Sequence, residues 1–154
     1  RTTRPHTAVL GRLPGTSIYR NVARYDQAQT LPGIAIVRVD AQLYFGNVAH
    51  LRETLAGLVA AADPPLFAVV VDASSINRID SSGEGGLRRV RDELAQQGIA
   101  LYLAGVKGPV RDTLERSGFC SELGPEHLGR TVHAVVEALV SPAGVSPGTA
   151  RAAG

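Results

Sequence analysis

The run Phe67-Ala68-Val69-Val70-Val71-Asp72 is short and apolar at consecutive rather than alternate positions. A strand of that kind hides both of its faces, so it predicts a central strand covered from both sides. The segments around it alternate between strand and helix patterns. Thr7 to Leu13 reads as a strand closed by the Pro14-Gly15 turn, and Ile34 to Val39 as another after Pro32-Gly33, with Leu43-Tyr44-Phe45 continuing the pairing. From Asn47, apolar positions at Val48, Leu51, Leu55, Leu58, Val59 and Ala62 recur at helical steps, and this helix ends before Pro64-Pro65.

Beyond the central run, Leu87, Val90 and Leu94 form the stripe of a helix that places Arg88, Arg89, Arg91, Asp92 and Glu93 away from the core and ends at Gly98. Ile99 to Ala104 is the next buried strand. Lys107-Gly108-Pro109 opens a helix that carries Val110 and Leu114 inward and closes at Gly118, with Phe119 covering its end. A terminal helix is expected from about Pro125 through Leu128, Val132, Val135, Val136 and Leu139. The fold class is therefore α/β, with helices packed on a central sheet. The sheet is mixed, because no helix long enough for a parallel crossover separates the first two strand runs.

Composition bounds what such a chain does. Its 154 residues are the size of one domain, and 5% aromatic content without Trp makes the core aliphatic. A formal charge of +2 with no block of like charges carries no nucleic-acid signature. The single Cys120 excludes an internal disulfide, leaves no zinc set and reads as a small core residue. No apolar run approaches the roughly 20 residues that span a bilayer, and the N-terminus lacks the order of a signal peptide. A chain starting at Arg1 and containing no Met is expected to be an excised piece of something longer or a processed product, and a flexible tail is expected from about Ser141 to Gly154.

No catalytic set is legible. His6, His50, His127 and His133 are scattered: His50 borders a helix stripe, and the others fall in exposed or terminal contexts without metal-pair spacing. Neither a nucleophile elbow nor a phosphate-loop motif is present. Gly83-Glu84-Gly85-Gly86 does not keep dinucleotide spacing, and reads as close packing of a helix on the sheet. The expectation is a non-enzymatic chain with no metal and no obligate cofactor.

One polar loop stands out. Asp80-Ser81-Ser82-Gly83 places hydroxyls at a helix start, where unpaired N–H groups and the helix dipole favour an anion. Ser81-x-x-Glu84 also fits a capping box, in which serine and glutamate satisfy each other's backbone N–H groups. Both readings stand on the local pattern: a cap, or a site where phosphate adds about −1.5 to −2 charge and alters docking without melting the helix.

A strand ending in Asp72, then Ser74-Ser75-Ile76-Asn77-Arg78-Ile79-Asp80-Ser81-Ser82-Gly83 and a helix, resembles the signature of the STAS domain, shared by sulfate transporters and anti-sigma factor antagonists. The order of elements agrees over about residues 5 to 140. Leu10-Gly11-Arg12-Leu13-Pro14-Gly15-Thr16, followed by Tyr19-Arg20-Asn21-Val22 and Tyr25, resembles the segment that opens the STAS domain of SulP-type anion transporters. Pro32-Gly33-Ile34, Arg38-Val39-Asp40 and Leu43-Tyr44-Phe45-Gly46-Asn47 resemble the strand pair that follows it there.

The resemblance implies a STAS domain over residues 1–140, acting as a non-catalytic regulatory and interaction domain of a SulP-family transporter of sulfate or bicarbonate. It implies a location on the cytoplasmic face of the inner (plasma) membrane. The implied partners are the parent's membrane domain, a second protomer, and a cytoplasmic protein or kinase. It aligns the antagonists' phosphorylated serine with Ser82 and makes Asp80, Ser81, Ser82 and Gly83 an anion or weak nucleotide loop, although Glu84 would oppose an anion there. The alternative is a stand-alone antagonist switched by phosphorylation of Ser82.

Overall fold

The computed structural model describes residues 7–141. Among them, six strands form one sheet: β1 (Thr7–Arg12), β2 (Tyr19–Asn21), β3 (Ile34–Val39), β4 (Ala68–Asp72), β5 (Ala100–Ala104) and β6 (Leu128–Gly129), in the order β2-β1-β3-β4-β5-β6. The pairs β1–β2 and β1–β3 are antiparallel, and β3 through β6 run parallel. The helices are α1 (Phe45–Ala61), α2 (Ser81–Gln96), α3 (Gly108–Arg116), α4 (Phe119–Leu123) and α5 (Val132–Val140). The mixed α/β sheet inferred from the sequence is the observed one.

The consecutive apolar run does what its pattern requires. Val69 and Val71 point into a core with α1 to α4, whereas Ala68 and Val70 point into a second core with α5. Val69, Val70 and Val71 are at most 1% exposed, and burial of each such side chain contributes about 1.5–3 kcal/mol. The layer assignment follows from handedness. Each parallel crossover steps the same way along the sheet, from β3 to β4, β5 and β6, so right-handed connections put α1 through α4 on one face. The other face is left to α5, which covers it with Val132, Val135, Val136 and Leu139.

Three local expectations change, and one short strand is added. Leu43 makes a single parallel bridge to Ile79 while Phe45 already begins α1, so Leu43-Tyr44-Phe45 is a junction rather than a strand. Tyr19–Asn21 forms an edge strand that three residues are too few to announce in the sequence. The helix expected from Pro125 starts later. Pro125–His127 is a 3-10 turn, Leu128 and Gly129 pair with Leu103 and Ala104, and the Thr131 hydroxyl accepts from Ala134 N–H to cap α5. Finally, Phe119 does more than cover α3: Gly118 turns the chain at φ 86° and Phe119, 0% exposed, begins α4. Of the tail expected from Ser141, residues 142–154 lie outside the described residues, as do residues 1–6.

Candidate functional site

The loop ending in Asp80 is shaped by what lies beneath it. Leu43 N–H donates to Arg78 O at 2.9 Å and Asp80 N–H to Leu43 O at 3.3 Å, tying the loop to the β3–α1 junction. Lys107 Nζ reaches Asn77 Oδ1 at 2.5 Å and ties it to the turn before α3. Gly83 sits where a Cβ would lie 1.9 Å from Leu43 O, and at Gly86 a Cβ would lie 2.5 Å from Val48 Cγ1. The glycines therefore serve close approach, but to the β3–α1 junction and to α1 rather than to the sheet. Gly85 faces open space.

The cap differs from the expected box. Asp80, not Ser81, is the N-cap: its extended backbone precedes α2, and Oδ1 accepts from Gly83 N–H at 2.7 Å and from Ser82 Oγ–H at 2.8 Å. An aspartate reaches the third N–H as well as a serine does, and it adds a charge to the positive helix end. The Gly83 N–H foremost, and the Ser82 hydroxyl next, hold the Asp80 carboxyl below the usual carboxylate range. Ser81 occupies the first helical position. Asp80, Ser81 and Ser82 are exposed and Gly83 is buried.

Glu84 does not close a capping box, nor does it face the loop as an open charge. It is 8% exposed, and its Oε2 lies 2.5 Å from Arg88 Nη1 as an ion pair, outside hydrogen-bond geometry. Arg88 Nε in turn donates to Glu122 Oε1 at 2.8 Å, and its guanidinium lies 5.6 Å from the Phe119 ring centre. Arg88 thus joins α2 to α4 instead of facing away, and Arg52 joins α1 to α2 through Glu93 at 2.5 Å. The helix start is mounted on a braced platform.

The histidines are more engaged than the sequence suggests. His127 Nδ1 is 2.8 Å from Leu101 O and its ring stacks on Tyr102, while His133 Nδ1 is 3.1 Å from Tyr19 Oη. Both are half-buried. No group of three metal-ligating side chains occurs among the described residues, and no helix there is long and apolar enough to cross a membrane. Cys120 is half-buried against the core, and burial pushes its thiol up. Sequence reasoning missed a groove of about 360 Å³ lined by Tyr19, Arg20, Asp72, Arg130, Thr131 and His133. Those residues come from segments far apart in the chain, so no motif joins them.

Comparison with known proteins supports the fold described above. The STAS domain family model matches residues 25–135. The probable sulfate transporter 4.2 of Arabidopsis thaliana is 36% identical over 145 residues, covering 88% of this chain but 21% of the transporter. The chain therefore spans about a fifth of the length of the curated relatives it matches. The murine Solute Carrier 26 family member A9 anion transporter in its inward-facing state shares the fold with a TM-score of 0.76 at 21% identity, over 88% of this chain and 22% of that one. The anti-sigma factor antagonist SpoIIAA in its unphosphorylated form shares it with a TM-score of 0.57 at 18% identity, over 70% of this chain and 88% of that one. With the matched model spanning most of the sheet and its helices, the chain belongs to the STAS domain family.

Proposed function

We propose that this chain is the cytoplasmic regulatory and docking domain of a SulP-type anion transporter, working by contact and not by catalysis. The observation that carries this reading is the pattern of coverage: a sulfate transporter matches nearly the whole chain, yet the chain fills only 21% of it. A module of that kind meets the membrane domain of its parent, a second protomer, or a cytoplasmic protein. The start of α2 suits such a contact. Ser81 and Ser82 are exposed there, Tyr44 is 48% exposed beside Gly83, and the Arg88 pairs hold the surface rigid.

Ser82 is the proposed switch position. Its hydroxyl donates to Asp80 Oδ1 at 2.8 Å, so a phosphate would replace a donor with a dianion facing a carboxylate. The side chain would have to turn outward, reshaping the docking surface while the dipole of α2 retains the helix. In the parent transporter held in membrane vesicles, deleting residues 7–141 should abolish or strongly reduce uptake of labelled sulfate or bicarbonate. Ser82→Glu should alter uptake, and Ser82→Ala should leave it near the intact level. A parent reading frame without membrane spans would end the transporter reading.

The exposed Ser82 hydroxyl and the shared fold with an antagonist favour one second reading, a stand-alone antagonist modified at Ser82. An anti-sigma kinase with ATP would then add one phosphate, detected by mass spectrometry. The weak nucleotide site at Asp80 to Gly83 is tested by titrating ATP or GTP: amide shifts confined to residues 80–86 support it, and a still loop removes it.

A further inference from the structure

On the α5 face of the sheet, a groove of about 360 Å³ opens between the β1–β2 hairpin and the start of α5. Asp72 ends β4 and Gly105 follows β5, so this groove sits at the carboxyl ends of parallel strands, where α/β sheets place ligands. Its charged lining residues are Arg20, Arg130 and Asp72, so cations outnumber carboxylates there. Arg20 is anchored through Nη1 on Tyr19 O at 3.2 Å and lies 5.9 Å from the Tyr25 ring centre. Arg130 has no carboxylate within ion-pairing distance among the described residues.

The imidazole adds a third donor. The Tyr19 hydroxyl lies 3.1 Å from His133 Nδ1, and in the tautomer in which it donates there the imidazole carries its proton on Nε2. The nine-residue α5 begins here, and Thr131 Oγ1 takes only the Ala134 N–H, leaving the N–H groups of the preceding turn to other acceptors. Asp72 opposes an anion, but its Oδ1 already accepts from Ser74 N–H at 3.0 Å and Ser74 Oγ–H at 2.7 Å. Two guanidiniums against one engaged carboxylate leave the groove cationic.

We propose that this groove is a binding site for a small tetrahedral oxyanion, sulfate or phosphate, held by Arg20, Arg130, His133 and the start of α5. The inference goes beyond the docking role: a chain that bound no oxyanion here would still dock as proposed above.

The test is a titration of the ¹⁵N-labelled 154-residue chain with sodium sulfate, and separately with sodium phosphate, at ionic strength held constant with sodium chloride. Saturable amide shifts are expected at Arg20 and at Arg130 to His133. Arg130→Ala should weaken binding about tenfold, with Arg130→Lys intermediate and spectral dispersion unchanged. Arg20→Ala gives an independent second variant with the same direction of effect. A response to sulfate alone, phosphate alone or both identifies the ion and supports the site. Shifts that never saturate, that chloride reproduces, or that fall only on Ser81 to Glu84 would overturn it, as would unchanged affinity in both arginine variants.

Discussion

Single residues at the start of α2 carry opposite consequences although they sit two apart. A Cβ at Gly83 would lie 1.9 Å from the Leu43 carbonyl oxygen, backbone that cannot step aside, so Gly83→Ala should cost about 2 kcal/mol or more. Gly85 meets open space, and Gly85→Ala should instead stabilise by about 0.5–1 kcal/mol through the gain in helix propensity. Urea midpoints of the two variants check the pair, and a destabilised Gly85→Ala would contradict it. Asp80 supplies a pH signature. Its carboxyl is held low in the fold by Gly83 and Ser82, so its stabilisation is present above the unfolded value, about pH 4, and is lost as pH falls through the lower folded value. Asp80→Asn keeps an acceptor for the cap but should flatten that part of the acid unfolding profile. Of this geometry, the sequence showed a cap and a glycine-rich approach. It did not show which residue caps, because Asp80 and Ser81 are both good N-cap residues and the register of the first turn is set by contact with Leu43.

At the level of elements, the Glu84–Arg88–Glu122 chain decides how α2 sits on α4. Removing Arg88 would leave the nearly buried Glu84 unpaired, so Arg88→Ala should destabilise by about 2 kcal/mol. Adding Glu84→Gln to that variant should recover part of the loss in thermal unfolding, because the neutral amide is cheaper to bury than a lone carboxylate. An unrecovered double variant would show that Arg88 acts through its contact with Phe119 instead. The α5 cap offers a second check: Thr131→Ala should cost about 1 kcal/mol and loosen α5 in hydrogen exchange. The long elements were legible because their stripes were long. α1 and α2 repeat their stripe often enough for the period to be unambiguous, and β4 was legible instead as a consecutive apolar run. β2, α4 and β6 were not, since two to five residues hold no period and gain their structure from a neighbour: β2 from β1, β6 from β5, α4 from Arg88.

For the whole molecule, protection from exchange should follow the layers. β3, β4 and β5 are covered on both faces and should exchange last, near the global unfolding limit, while the edge hairpin of β1 and β2 opens first. Hydrogen exchange read by mass spectrometry checks that order, and an early-exchanging β4 would contradict it. The α/β class, the mixed sheet and the strand covered on both sides were present in the sequence itself, because hydrophobic period and turn residues are local properties of a chain. The STAS resemblance lay there too, in the strand that ends at Asp72 and the loop that leads through Gly83 into α2. Which residues share a site was decided only by the tertiary structure. Arg20 and Arg130 meet around one groove, and Tyr19 reaches His133, because the hairpin turns Tyr19 to the face of the sheet that α5 covers. That meeting depends on the handedness of the crossovers and on long-range pairing, and neither leaves a mark in the spacing of neighbouring residues.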